Sequence, residues 1–189
     1  MIRVAAAIAI VVALVSAAVA QLKPRMEKIS PRPVQSRLPP EIMGSKLYAY
    51  SRWAKFCGRD KSNPDAPQVC LTAMEVKRHS GGFAAGVALI EGAGDKKLLR
   101  VTLPADVRRE AGARIAVDGD KPLSGKFLAC NERGCLADFE ASAEFIARLK
   151  TGEVLHLRGT GEKGQAVSYR LPLAGFVSAN AGPPSAPPQ

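Results

Sequence analysis

Two close pairs of cysteines punctuate this chain: Cys57 with Cys70, then Cys130 with Cys135. What they can do depends on the compartment, and the N-terminus speaks to that. Met1-Ile2-Arg3 is a short basic start, Val4 to Val15 is an unbroken apolar run, and Ala18-Val19-Ala20 offers small residues where a signal peptidase requires them. Residues 1–20 are therefore expected to be a cleavable signal peptide. The apolar run is barely long enough to span a bilayer and ends without a basic stop, so no stable membrane span is expected after processing. In an exported chain cysteines meet an oxidising compartment and read as structural disulfides. Four cysteines allow three pairings. The local one closes two short loops, and Gly58 to Pro67 is turn chemistry throughout, suited to a stapled excursion between two strands. Closing a loop of that size stabilises by roughly 2–3 kcal/mol. A zinc site fits poorly, because neither His79 nor His156 has ligand spacing to a cysteine and the 57/70 gap matches no common zinc pattern. No metal or cofactor is expected.

Residues 21–45 carry five prolines among Lys23, Arg25, Lys28, Arg32 and Arg37. Such a segment has little to bury and reads as a flexible linker. A Pro-rich ending over residues 180–189 reads as a disordered tail. Between them, residues 46–179 form one domain large enough for its own core. Its pattern is β. Short apolar runs at Val69–Val76, Val87–Ile90, Leu98–Leu103, Ile115–Val117, Leu155–Leu157 and Val167–Leu171 are separated by Gly, Pro and Asp. Runs of that length and spacing predict an all-β fold, an antiparallel sandwich or barrel of immunoglobulin-like size. One short helix is expected near residues 142–150, with Ser142 as its cap, Phe145, Ile146 and Leu149 as its packing stripe, and Gly152 as a left-handed stop. Trp53 is expected inward, covering the first disulfide.

Catalytic patterns are sparse. There is no Gly-x-Ser-x-Gly elbow, His-Glu-x-x-His pair or Ser-x-x-Lys element. His79 stands where a strand runs into a Gly-Gly turn. His156 shares a strand face with Arg158, opposite Leu155 and Leu157, so both histidines read as surface groups. Asp118-Gly119-Asp120 reads as a turn rather than a calcium loop, which needs more oxygen ligands at fixed offsets. No catalytic residue is assigned.

The formal net charge is +10, and six of the surplus positive charges fall within residues 21–60. That places the attraction for anions in the N-terminal stretch, and Lys23, Arg25, Lys28, Arg32 and Arg37 are the candidate contacts to an anionic envelope component. Aromatics make up only 5% of the chain, so a nucleic-acid partner, which would want basic and stacking residues on one face, is not expected.

Several elements combine into a wider pattern: Trp53 with Phe56-Cys57, then Cys70, then Phe127 to Ala137 with its Cys-x3-Gly-Cys-x-Ala core, and finally Leu173-Ala174-Gly175-Phe176-Val177-Ser178-Ala179. Over about residues 48–179 this order resembles the invasion-associated locus B family of exported α-proteobacterial envelope proteins. The resemblance implies that Cys57/Cys70 and Cys130/Cys135 are the bridges. It supplies no catalytic residues. It also implies a periplasmic or outer-envelope protein, or a secreted one, connected in some bacteria with host-cell entry. The expected role is non-enzymatic binding of an envelope or host-surface protein. A periplasmic chaperone offering a sheet edge, and a hydrolase of envelope polymer built on one of the histidines, are the alternatives.

Overall fold

Strand formation follows the alternation of side chains. The computed structural model describes residues 48–59, 62, 63, 65–92 and 96–185. The expected signal peptide and the linker, including Lys23, Arg25, Lys28, Arg32 and Arg37, lie outside the described residues. Among the described residues there are eleven strands: β1 (Tyr48–Tyr50), β2 (Ala54–Gly58), β3 (Val69–Arg78), β4 (Phe83–Glu91), β5 (Leu98–Leu103), β6 (Ala113–Val117), β7 (Leu123–Gly125), β8 (Ala129–Asn131), β9 (Gly134–Glu140), β10 (Val154–Thr160) and β11 (Ala166–Pro172). They build two open antiparallel sheets and no closed barrel, so of the two expected architectures the sandwich is the one adopted. The larger sheet has seven strands in the order β1-β3-β4-β5-β9-β8, with β2 also pairing with β3; the smaller runs β11-β10-β6-β7.

Burial alternates with a period of two, as one-sided strands require. In β3, Thr72, Met74 and Val76 point inward while Leu71, Glu75 and Lys77 point out. Leu89, Leu99, Val101 and Leu103 from the larger sheet meet Ile115, Val117, Leu155, Leu157 and Leu171 from the smaller, and none is more than 1% exposed. This layer is the core. Each such side chain stabilises the fold by roughly 1.5–3 kcal/mol relative to leaving it in water.

Helix α1 (Ala143–Thr151) forms where the sequence places it, and the Ser142 hydroxyl accepts from the Phe145 N–H at 3.1 Å. Ile146 and Leu149 are buried, and Phe145 packs partly buried against the core. The stop differs from expectation. Gly152 has φ −76° and ψ 170°, an extended rather than a left-handed conformation. Its requirement for glycine is one of space, because a Cβ there would collide with the Val117 side chain and crowd Arg148 O and Asp118 Oδ2.

A second helix, α2 (Phe176–Ala181), was not expected, and it closes one end of the sandwich. Phe176 is fully buried, and its ring meets Trp53 edge-on with centroids 5.0 Å apart. The indole N–H of Trp53 donates to Pro172 O at 2.8 Å. Trp53 is thus inward as expected, but the neighbours that hold it are the C-terminal helix and the end of β11. The helix is fastened by a polar clasp. Asn180 Nδ2 donates to Thr72 Oγ1 (3.1 Å) and Glu91 Oε2 (2.7 Å), Lys97 pairs with Glu91 Oε1 at 2.6 Å, and Lys55 Nζ donates to Asn180 O at 2.9 Å. Burial alone would raise the Glu91 carboxyl, but these hydrogen bonds and the charges of Lys97 and Lys55 bring it below its ordinary value. Residues 180–185, assigned from sequence to the tail, are therefore structured: Asn180 and Ala181 end α2, and Ser185 N–H donates to Lys55 O at 2.6 Å on the β2 edge. Only residues 186–189 of that tail fall outside the described residues.

If α2 belongs to the core, Phe176→Ala should cost about 3–5 kcal/mol in denaturant unfolding, the scale of a fully buried aromatic truncation. A cost below about 0.5 kcal/mol, the scale of a surface change, would return the helix to the tail.

Candidate functional site

The cysteines staple two hairpins of the larger sheet. Cys57 of β2 stands directly opposite Cys70 of β3, with Cα atoms 4.1 Å apart, and the pair forms a disulfide; so does Cys130 of β8 with Cys135 of β9, at 4.0 Å. Both bridges join neighbouring strands across a turn, and among the described residues no cysteine is free. They fix register rather than perform chemistry. His79 is exposed in the turn between β3 and β4. Asp118 sits in the expected turn at φ +48°, its carboxylate accepting from the N–H groups of Val154 (2.8 Å) and Glu153 (3.2 Å). Asp120 is paired by Arg148 in a two-pronged contact of 2.7 and 2.8 Å, not by the neighbouring lysine. Among the described residues no three His, Cys, Asp or Glu side chains gather where they would hold a metal ion.

The distinctive chemistry lies on the outward faces of the two sheets. On the larger sheet, Phe56, Leu71, Ile90 and Leu98 stand in one cross-strand row, with Phe56 and Leu71 40% and 36% exposed. The next row is Ala54, Ala73, Ala88, Arg100 and Asp138, the last two joined by a bidentate ion pair of 2.7 and 2.8 Å. That face is apolar, small-residued and charge-neutralised.

The smaller sheet presents the opposite chemistry. Leu155 and Leu157 of β10, Ile115 and Val117 of β6, and Tyr169 and Leu171 of β11 fill the core, which turns the alternate residues outward. Register then sets Ser168, Arg158, Arg114 and Ser124 in one row across all four strands, and Arg170, His156 and Ala116 in the next. Arg158 and Arg114 are directly opposite each other, a like-charge pairing that destabilises a sheet. Among the described residues ion pairs form at Glu75, Glu91, Asp120 and Asp138, and neither Arg114 nor Arg158 takes part in one. His156 is half-buried among these cations. Desolvation first, then the charges of Arg158 and Arg170, push its pKa below the ordinary imidazole value, against a smaller pull from Asp118. Within the described residues it has no hydrogen-bonded hydroxyl or carboxylate, so nothing there makes it a general base poised on a nucleophile.

Sequence reading anticipated that His156 and Arg158 share a face. It missed Arg114 and Arg170 as their neighbours. Each stands at an alternate position of an apolar run, which is the available signal, but the pairing of β6 with β10 is not written in either segment.

Fold and bridges together define a disulfide-stapled, two-sheet β-sandwich, a class at home outside the reducing cytoplasm. The chain belongs to the Invasion associated locus B (IalB) protein family, whose model matches residues 53–184. Invasion protein B homologues of Brucella abortus strain 2308 and of biovar 1 strain 9-941 are each 27% identical to it over 122 residues, 64% of this chain. The match spans 62% of the length of those curated relatives. The crystal structure of invasion associated protein B from Bartonella henselae shares the fold, with a TM-score of 0.60 and 19% identity over 70% of this chain and 90% of that one. The family and the two bridges place the domain outside the cytoplasm.

Removing the longer loop's bridge with Cys57→Ser/Cys70→Ser should cost about 3 kcal/mol, and Cys130→Ser/Cys135→Ser about 2 kcal/mol, following the loop-closure relation for sequence separations of 13 and 5. Urea unfolding of both variants checks the order; equal stability before and after removal would deny the bridges a structural role. His156 yields a pH prediction. Between its lowered pKa and the ordinary value of 6.5, the unfolded chain binds a proton that the native sheet resists, so stability rises with pH across that window. His156→Gln should flatten the rise of Tm with pH below 6.5; an unchanged profile would assign the slope to other groups.

Proposed function

We propose that this protein is an exported, non-enzymatic binding protein of the bacterial envelope, held in the periplasm or at the outer envelope, that engages an anionic partner through electrostatics. The observation that carries the reading is the outward face of the smaller sheet, where Arg114, Arg158 and Arg170 are brought together at the expense of like-charge repulsion. Binding uses such a face; catalysis through the half-buried His156 would need it to meet a nucleophile. The basic residues Lys23, Arg25, Lys28, Arg32 and Arg37 precede the domain and add to the same attraction. By kinship with the Brucella and Bartonella proteins, the envelope role extends to contact with a host surface in bacteria that enter cells. The sheet-edge chaperone reading is weakened at β2, whose outer side already accepts the Ser185 N–H.

The purified, processed protein should sediment with α-proteobacterial envelope fractions and be released as salt is raised, since exposed charge–charge attraction is screened over about 8–10 Å at physiological ionic strength. Replacing the five linker cations with glutamine should lower the retained fraction. Retention indifferent to both salt and those substitutions would remove the electrostatic reading, and release of soluble fragments from purified envelope polymer by the protein would replace binding with hydrolysis.

A further inference from the structure

The indole of Trp53 borders a groove that the arginine-bearing face does not use. At the end of the sandwich closed by α2, the Ser51-Arg52-Trp53 connection between β1 and β2 stands across from the start of that helix. Between them lies a cavity of about 490 Å³, within the range of small-ligand sites. Its floor is apolar. Trp53 and Met74 are buried there, with half-buried Tyr50 beside them. The far wall is Ala174, Ser178 and Ala179, short side chains that leave the space open. Charge enters once. Arg52 is exposed at the rim, no carboxylate lines the groove, and among the described residues none pairs with this guanidinium. A larger cavity, of about 710 Å³ beside Phe83 and Leu136, carries Glu75, Glu132 and Arg133 together and so selects no ligand by charge.

The polar groups around the smaller groove narrow the ligand. Ser51 N–H donates to Glu75 O, the Ser51 hydroxyl donates to Arg52 O and accepts from Glu75 N–H, and Pro172 O accepts from the indole. These groups are occupied, and Pro172 has no N–H, so an extended peptide finds no ladder of backbone partners. Trp53 is 7% exposed and meets Phe176 edge-on, so it offers no open ring on which a base or a sugar could stack. What remains is an apolar trough with one guanidinium at its mouth. That complements an apolar chain ending in an anion, whose oxygens a guanidinium meets with parallel N–H donors. We propose that this groove binds a single acyl chain with an anionic head, the chain lying over Trp53 and Met74 and the head, a carboxylate or a phosphate, held by Arg52. The site shares no residue with the arginine-bearing sheet, so it goes beyond the binding role proposed above and stands or falls without it.

Trp53 is the single tryptophan of the chain, so its fluorescence reads the groove itself rather than basic residues elsewhere. The processed protein is titrated with octanoate, decanoate, decyl phosphate, decanol and decylammonium, each below its micellar concentration. The anionic ligands should shift the emission saturably, with affinity rising about fourfold for each further methylene buried. Decanol should bind about tenfold more weakly than decanoate, the difference a charge-assisted hydrogen bond supplies, and decylammonium more weakly still. Arg52→Gln should remove that tenfold preference and leave decanol unchanged. Arg109→Gln, at an exposed arginine outside the groove, should change neither. Ser178→Leu fills the groove from an exposed helical position and should abolish the shift at an unchanged Tm. Ala174→Leu, exposed on the same wall, gives the same reading should the first variant unfold. Decyl phosphate binding more tightly than decanoate would support the groove with a phosphorylated lipid as its source; the reverse order would support it with a free fatty acid. Equal affinity for decanoate and decylammonium, or a shift that survives both wall substitutions, would overturn it in favour of detergent-like uptake elsewhere. A short apolar peptide with a free C-terminal carboxylate that binds where decanoate does not would overturn the acyl chain, and no saturable shift with any ligand would overturn the site.

Discussion

One indole ring joins three parts of this molecule. Trp53 lies between β1 and β2 at the margin of the larger sheet, gives its N–H to the last residue of the smaller sheet at Pro172, and sets its face against Phe176 of the closing helix. Two open sheets packed face to face leave an apolar layer unprotected at their ends, and a sandwich without barrel closure needs something to cover it. Trp53 and Phe176 supply that cover. The donor that a buried indole must satisfy finds the backbone oxygen of a residue that, being proline, offers no N–H of its own. The clasp of Thr72, Glu91, Lys97 and Asn180 then holds the helix in place through groups at or near the sandwich rim, and among the described residues no buried side-chain polar atom is left without a partner.

Once the core layer is fixed, the outward faces follow without further freedom. A strand that points Leu155 and Leu157 inward must point His156 and Arg158 outward, and a one-residue slip would exchange the two sets. The bridges at Cys57/Cys70 and Cys130/Cys135 oppose such slips in the larger sheet, where they link residues in direct register. In the smaller sheet no bridge does this work. There register is kept by seven consecutive pairs between β10 and β11 and by the apolar face itself. The arginine-bearing surface is therefore maintained by the core beneath it.

Much of this was legible in the sequence, and the parts that were not share a cause. Alternation within single segments located β3, β4, β5, β6, β10 and β11, and the capping serine located α1. Strand β9 escaped notice because Cys135, Ala137 and Phe139 alternate with Leu136 and Asp138 too weakly to stand out, although it lies between β5 and β8 in the sheet. Helix α2 escaped because six residues led by Phe-Val-Ser have no helical propensity to speak of; it exists through tertiary packing of Phe176 and the hydrogen bonds of Asn180. Charge misled in a related way. Counting located the surplus before Lys61, yet the domain, only mildly basic in total, segregates its charges by face. Arg100 is neutralised by Asp138 and Arg148 by Asp120, whereas Arg114 and Arg158 face each other. A sum over sequence cannot distinguish a paired cation from an unpaired one; only strand register does that.

The like-charge row is the point at which stability and use diverge. Nothing in the packing of β6 against β10 calls for arginine at both outward positions. Threonine or a Lys–Glu pair would serve the sheet better, as Arg100 with Asp138 does across β5 and β9. A fold that tolerates the repulsion must hold its register by other means, and here the means are the ladder of seven pairs between β10 and β11 and the fully buried apolar layer beneath it. The covalent bridges lie in the sheet where Arg100 is neutralised by Asp138, and the like-charge pair lies in the sheet held by its core alone. In an exported protein with a domain of this modest size, that division lets one face stay permanently charged without endangering the fold.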